Sequence, residues 1–248
     1  MSANLSILTL GSWSCSLRSE RIDVTRDSEA IGYYELVKDP YCSRCFRPNV
    51  TEDDCGFHWF LDPALTRIRA VSVYYTVQDP RDNLMTKHVL SLKTDREYAV
   101  PIALAQALIL HVYSLDIDEI DAIAHVPIHQ EKKRDRGFDQ GEEIASHLST
   151  ILEKPRSNVL VKTQNIILHS IPGGLMARRE KVRGLYGSSA LLHGERILLV
   201  DDIATTGLDL AECAKVLKQA GAGQVNGLVG GRAVFRIPTS EETHEAPQ

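Results

Sequence analysis

Two successive aspartates, Asp201 and Asp202, follow the apolar run Ile197-Leu198-Leu199-Val200 and precede Ile203-Ala204-Thr205-Thr206-Gly207. Ionised carboxylates only accept hydrogen bonds, so the pair can take vicinal hydroxyls, such as those of a ribose, or hold a metal ion. Backbone N–H groups from Ala204 to Gly207, with the hydroxyls of Thr205 and Thr206, can surround a phosphate at a helix start. The alternative is a plain strand-to-helix connection in which Asp202 or Thr206 caps. A cap needs one acceptor, and two carboxylates exposed at a strand end repel each other, so a ligand site is the expectation.

A second constellation is cationic. His129, Lys132, Lys133, Arg134 and Arg136 cluster just past another apolar run, in a chain that is acidic overall. Arginine grips phosphate oxygens with two parallel donors and lysine supplies a compact charge, so the cluster suits a pyrophosphate or other polyanion. A solvated charged loop is the rival reading. Lys93 and the group Arg178, Arg179, Lys181 and Arg183 are further cations, the latter equally readable as a charged helix face. No Ser-His-Asp arrangement and no paired general acid and base stand out.

A third constellation, Cys42-x2-Cys45-x9-Cys55-x2-His58, offers four ligands in two close pairs. That set suits tetrahedral Zn²⁺, and a full complement of four points to a structural metal. The rival is three buried or idle cysteines beside an incidental histidine. Cys15 and Cys213 lie outside the cluster, Cys213 reading as a small core residue.

Elements must hold these groups in place. Two segments share one grammar, a short apolar run, an abrupt polar stop and an amphipathic helix. They are Ile120–Val126 with helix 139–153, and Ile197–Val200 with helix 208–220. In the first, Asp139 and Glu142 have capping-box spacing and Ile144, Ala145, Leu148, Ile151 and Leu152 form the apolar stripe. In the second, Leu210, Ala214 and Leu217 form the stripe and Gly221 ends the helix. Apolar runs without alternation, separated by helices, imply a parallel sheet buried on both faces. Such sheets bind ligands beyond the carboxyl ends of their strands, so both polar stretches should face one crevice.

Ile68–Val77 reads as a further strand ended by a hairpin or loop at 79–83. A helix is expected from near Tyr98, with Pro101 in its first turn and Ile102, Ala105, Leu108, Ile109 and Val112 at helical spacing. Tyr41–His58 reads as turns around a metal, ending by Pro63. Residues 1–40 support no assignment, and 239–248 read as a short acidic disordered tail.

The chain has 248 residues, 43% hydrophobic and 25% charged, enough for one sizeable core with a small appended module. A formal net charge of −5 gives no broad attraction to nucleic acid or anionic lipid. No segment reads as a signal peptide or membrane span. With an odd number of cysteines and three crowded together, a reducing, cytoplasmic setting is expected.

The stretch from Ile197 to Gly207 resembles the motif by which type I phosphoribosyltransferases bind phosphoribosyl pyrophosphate (PRPP). The resemblance implies that Asp201 and Asp202 bind the ribose hydroxyls and act in catalysis, that Ala204, Thr205, Thr206 and Gly207 bind the 5′-phosphate, and that Mg²⁺ accompanies PRPP. Val126-Pro127-Ile128-His129 with Arg134-Asp135-Arg136-Gly137-Phe138-Asp139-Gln140 is similar to a signature of the ComF-type competence proteins, which are associated with DNA uptake in bacteria. Leu92-Lys93-Thr94-Asp95-Arg96 and Arg178–Tyr186 resemble two more segments of that family. The chain departs from the family in places: Asp209 stands at a hydroxyl position, Lys181 and Asp139 stand at asparagine positions, and the family's glutamine upstream of Arg178 has no clear counterpart. The second cysteine pair ends in His58 where the family has cysteine.

The implied fold class is α/β, a type I phosphoribosyltransferase fold with a central mainly parallel sheet flanked by helices and a small N-terminal zinc-ribbon-like module. The implied division is an unassigned segment 1–40, a zinc module 41–62, a phosphoribosyltransferase domain 65–238 and the tail 239–248. The implied activity is pentosyl transfer from PRPP to an acceptor the sequence does not name. A rival is a non-catalytic accessory protein that senses PRPP or binds single-stranded DNA, with competence-machinery proteins as partners.

Overall fold

The computed structural model describes residues 34–56, 58, 61–75, 83–94, 101, 104–105, 107–109, 120–166 and 174–234. Its centre is a four-stranded, all-parallel sheet built from β1 (Ile68–Tyr74), β2 (Ala122–His125), β5 (Arg196–Ala204) and β6 (Gln224–Ala233), in the order β1-β6-β5-β2. A separate antiparallel pair joins β3 (Leu160–Lys162) to β4 (Tyr186–Ser188).

Helices cover both faces. Alternate residues of β5 show why: Ile197 and Leu199 enter one apolar cluster, Leu198 and Val200 the other. The first cluster takes in α5 (Leu208–Gln219) through Leu210, Ala214 and Leu217, together with the cysteine segment. The second takes in α1 (Leu84–Thr94) through Met85, Val89 and Leu92, and α3 (Gln140–Leu152) through Ile144, Ala145 and Leu148. Each such fully buried leucine, isoleucine, valine or methionine contributes about 1.5–3 kcal/mol against conformational entropy. The expected fold class, a central parallel sheet flanked by helices, is the one observed.

The helices expected at 139–153 and 208–220 form within a residue of those bounds, and the described residues 101, 104–105 and 107–109 of the third are helical. Asp139 caps α3 by accepting from Gly141 N and Glu142 N. The Glu142 carboxylate pairs with Lys133 and Arg156 instead of closing a capping box. Gly221 follows α5 at φ 110°, and a Cβ there would sit 2.2 Å from the Leu192 carbonyl oxygen, so only glycine fits.

Three expectations need correction. The strand expected to stop at Val200 continues to Ala204, because Asp201, Ile203 and Ala204 remain in ladder register with Val229, Gly231 and Arg232 of β6. The cationic stretch, expected as a loop, is a helix, α2 (Gln130–Arg136), with no buried residue. β1 ends at Tyr74, and Tyr75 is outside it. Residues 1–33, the expected turn at 79–82, Val77, Tyr98, Ile102, Val112, Cys15 and the tail lie outside the described residues.

Candidate functional site

The carboxyl end of β5 carries the aspartate pair. Strand alternation separates the two: Asp202 is 4% exposed, whereas Asp201 is half-buried. Asp201 Oδ1 accepts from Asp202 N at 2.9 Å, and Asp202 Oδ1 accepts from Ile203 N at 2.8 Å. Gly230 of β6 makes this packing feasible, since a Cβ there would stand 2.8 Å from the Asp202 carbonyl oxygen. Burial, then the charges of Asp202 and Asp209, raise the Asp201 pKa well above the usual carboxylate range. A cation or a set of hydroxyl donors would relieve that repulsion, so the oxygen-only donor set fits a hard ion such as Mg²⁺.

Beyond the strand the chain turns through Thr205, Thr206 and Gly207 into α5. Gly207 is the N-cap at φ 81°, and a Cβ there would meet Ile68 Cδ1 and Leu61 Cδ2 at 3.2 Å. No side chain closes this helix start by accepting at the cap, and Thr206 Oγ1 accepts weakly from Leu208 N at 3.4 Å. Beneath the loop, the fully buried Arg232 donates through Nε to the Cys45 carbonyl at 2.8 Å and through one terminal nitrogen to the carbonyls of Ala204, at 2.8 Å, and Thr205.

The cationic helix stands at the same edge of the sheet. β2 and β5 are parallel neighbours with His125 paired to Val200, and Val126 N donates to Val200 O at 3.0 Å. Both polar stretches therefore leave the carboxyl ends of adjacent strands. His129 caps α2 by accepting at Nδ1 from Glu131 N at 3.3 Å. Arg134 is exposed, Lys132 is half-buried, and Arg136 donates to Gln140 Oε1 at 3.2 Å. Asp139 locks this corner by accepting from Ile128 N at 3.0 Å and Gly141 N at 2.9 Å, with His125 Nε2 at 3.6 Å. Burial opposes its ionisation, but His125 and the N–H groups of Ile128 and Glu142 hold its pKa below the usual value.

The remaining cations divide. The Lys93 side chain lies outside the described part of the structure. Lys181 is exposed on α4 (Gly174–Val182), while Arg179 and Arg183 line a cleft of about 220 Å³ with Asp62, Glu212 and Lys215 beside Leu208. Carboxylates and cations are mixed there, which fits a charged surface better than an anion site.

Asp209, in the first turn of α5, is engaged by the β3–β4 pair. The Tyr186 hydroxyl donates to its Oδ1 at 2.5 Å, Lys162 Nζ stands 4.0 Å from the same oxygen, and Lys162 donates to the Tyr186 hydroxyl at 3.1 Å. Burial raises the Tyr186 pKa far above the ordinary value, with the Asp209 carboxylate adding to it, so the phenol remains a donor.

The cysteine module gathers as its spacing implies. The Cys42, Cys45 and Cys55 sulfurs lie within 4.8 Å of one another, all buried. Cys45 Sγ is 3.5 Å from Cys55 Sγ, and the buried His58 presents Nδ1 3.6 Å from Cys42 Sγ, beside the trio. Tetrahedral zinc with bonds of about 2.3 Å to sulfur and 2.0 Å to nitrogen has ligand–ligand edges of roughly 3.6–3.8 Å, so the three cysteines fit, and the His58–Cys42 distance matches one further edge. Burial and the neighbouring Cys45 push the Cys42 thiol up to about 12. Cys213 is a buried core residue of α5, as expected.

Sequence reasoning missed Arg232 and the partnership of Tyr186 with Asp209. The Gly230-Gly231-Arg232 run carried a signal, because paired glycines inside an apolar strand mark close backbone approach.

No family model matches the chain. In sequence it is similar to competence protein F of Haemophilus influenzae, with 27% identity over 219 residues, 82% of this chain and 90% of that protein. It is likewise similar to the DNA utilization protein YhgH of Escherichia coli, with 26% identity over 226 residues, 88% of this chain and 90% of that protein. Among solved structures, the allosteric regulatory enzyme of purine biosynthesis is 20% identical with a TM-score of 0.36, over 53% of this chain and 25% of that enzyme. An adenine phosphoribosyltransferase is 16% identical with a TM-score of 0.37, over 61% of this chain and 78% of the other. Among the described residues, no helix is long and apolar enough to cross a membrane.

Proposed function

We propose that this chain, a relative of ComF-type competence proteins, is a phosphoribosyltransferase that binds PRPP with Mg²⁺ at the carboxyl end of β5. One observation carries the reading: an aspartate pair runs directly into a glycine-capped helix start, one strand away from a strand end followed by a cationic helix. Asp201 faces the ribose hydroxyls, with Asp202 fixing the backbone behind it. The N–H groups of Thr205, Thr206 and Gly207 and the two threonine hydroxyls take the 5′-phosphate. His129, Lys132, Arg134 and Arg136 meet the pyrophosphate, with Lys93 as a further cation. Mg²⁺ held beside Asp201 would neutralise the departing pyrophosphate. The protein's part is to fix C1 of the ribose against the acceptor and to stabilise developing charge. Cys42, Cys45, Cys55 and His58 would hold a structural Zn²⁺. The setting proposed is cytoplasmic.

A second reading draws on the names of the relatives, competence protein F and DNA utilization protein, and on Asp209 and Lys181. In it the protein is a non-catalytic accessory that senses PRPP or binds single-stranded DNA beside competence-machinery proteins. Calorimetry with PRPP and Mg²⁺, followed by pyrophosphate release over candidate acceptors, separates the two. Binding with release supports the enzyme, binding without release supports the accessory, and no binding of PRPP overturns the site.

A further inference from the structure

Arg232 is fully buried on β6, directly opposite Ala204 in the ladder. Among the described residues no carboxylate pairs with it. Its guanidinium instead donates to the carbonyls of Cys45, Ala204 and Thr205, and its remaining terminal nitrogen has no hydrogen-bond partner. An uncompensated buried cation is costly, so its position demands a nearby negative field. The Cys45 carbonyl places Arg232 against the metal module. Zinc with three thiolates and one neutral imidazole carries a net charge of about −1 (2+ and 3−).

Peptide geometry turns this contact into an effect on the loop. In a trans peptide the carbonyl and the following N–H point in opposite directions. Anchoring the carbonyls of Ala204 and Thr205 inward therefore aims the N–H groups of Thr205 and Thr206 outward. These are the donors a phosphate at the helix start would use.

We infer that Arg232 is the positioning residue of the phosphate loop, and that through the Cys45 carbonyl it couples metal occupancy of the cysteine module to anion affinity at Thr205–Gly207. This rests on the reading of that loop as a phosphate site. The module is then a brace for the ligand site as well as a local staple, which explains why its cysteines share an apolar cluster with β5 and α5.

The test uses the full chain with zinc bound, Arg232→Met and Arg232→Lys, and wild type stripped with a chelator. Zinc content, hydrogen exchange across residues 204–211 without ligand, and titration with PRPP and Mg²⁺ are measured for each. Arg232→Met is expected to keep its zinc, to exchange faster at 204–211 and to bind PRPP roughly tenfold or more weakly, the scale of one charge-assisted hydrogen bond. Arg232→Lys should recover part of the affinity, and zinc-stripped wild type should show the same faster exchange. If Arg232→Met fails to fold, the stripped protein carries the test. Unchanged exchange at 204–211 in either protein overturns the coupling. Absence of PRPP binding by wild type overturns the functional reading instead, and leaves the exchange result to decide the brace.

Discussion

Tyr186 donates its hydroxyl to the Asp209 carboxylate at 2.5 Å, tying the β3–β4 pair to the first turn of the helix that begins at the phosphate loop. The acid that stands at a hydroxyl position is thus committed to a neighbour, with Lys162 close behind it. An acid near a helix N-terminus is itself favourable.

Asp209→Thr should therefore leave PRPP affinity within about twofold and cost about 1 kcal/mol of stability, the scale of one hydrogen bond. Titration at fixed Mg²⁺ and thermal melting check this. A tightening of tenfold or more would mean that the carboxylate repels the phosphate and would favour the accessory reading.

Asp139→Asn addresses the corner between β2 and α3. An amide can keep the cap to Gly141 N and Glu142 N, but its NH₂ then faces the Ile128 N–H, donor against donor. The expected loss is about 1–3 kcal/mol at neutral pH. The sign of the pH dependence follows from the depressed pKa of Asp139. Its stabilisation is present above the unfolded carboxylate value near 4 and is lost as pH falls through the lower folded value. The gap in melting temperature between wild type and variant should begin to narrow as pH drops below about 4 and close once pH passes the lower folded value, and a gap that does not narrow on acidification would refute this assignment.

The cysteine module predicts about one zinc per chain, with Cys42→Ser or Cys55→Ser destabilising residues 41–60 by several kcal/mol. Elemental analysis after purification without chelator reads the stoichiometry. Finding no metal, with unchanged melting of the serine variants, would leave three buried thiols and no site.

Asp201→Asn should separate stability from binding. The folded pKa of Asp201 is raised, so its contribution to stability is full at low pH and lost as pH rises through that folded value. At neutral pH the asparagine variant should melt no lower than wild type and above it at alkaline pH, while binding PRPP far more weakly. A variant that melts lower throughout would show that the ionised carboxylate holds the fold together.

The sequence made visible what periodicity and capping encode. Ile144, Ala145 and Leu148 marked the buried face of α3, and Leu210, Ala214 and Leu217 that of α5. α1 escaped notice although Met85, Val89 and Leu92 have helical spacing and Asn83 caps its start by accepting from Thr86 N at 2.9 Å, because Asn83 closes a run of turn residues and no acidic residue follows it in the first turn. α2 has no apolar stripe, so nothing in its pattern separated it from a solvated loop. β5 was read as ending at Val200 because aspartates disfavour strands, yet the β6 ladder carries it to Ala204. β6 itself was diluted by Gly227, Gly230 and Gly231. The paired glycines hinted at a close approach there, but the partners of Arg232 could not be read, since its acceptors lie 27, 28 and 187 residues away in the chain and meet only through the fold.

The central claim is tested most directly by titrating the wild-type chain and the Asp201→Asn, Asp202→Asn double variant with PRPP, with and without Mg²⁺. The account predicts saturable, Mg²⁺-dependent binding by wild type and a loss of about a hundredfold or more in the double variant, the scale of two hydrogen bonds to charged acceptors. Equal affinity in the two proteins, with the fold intact in both, would contradict it.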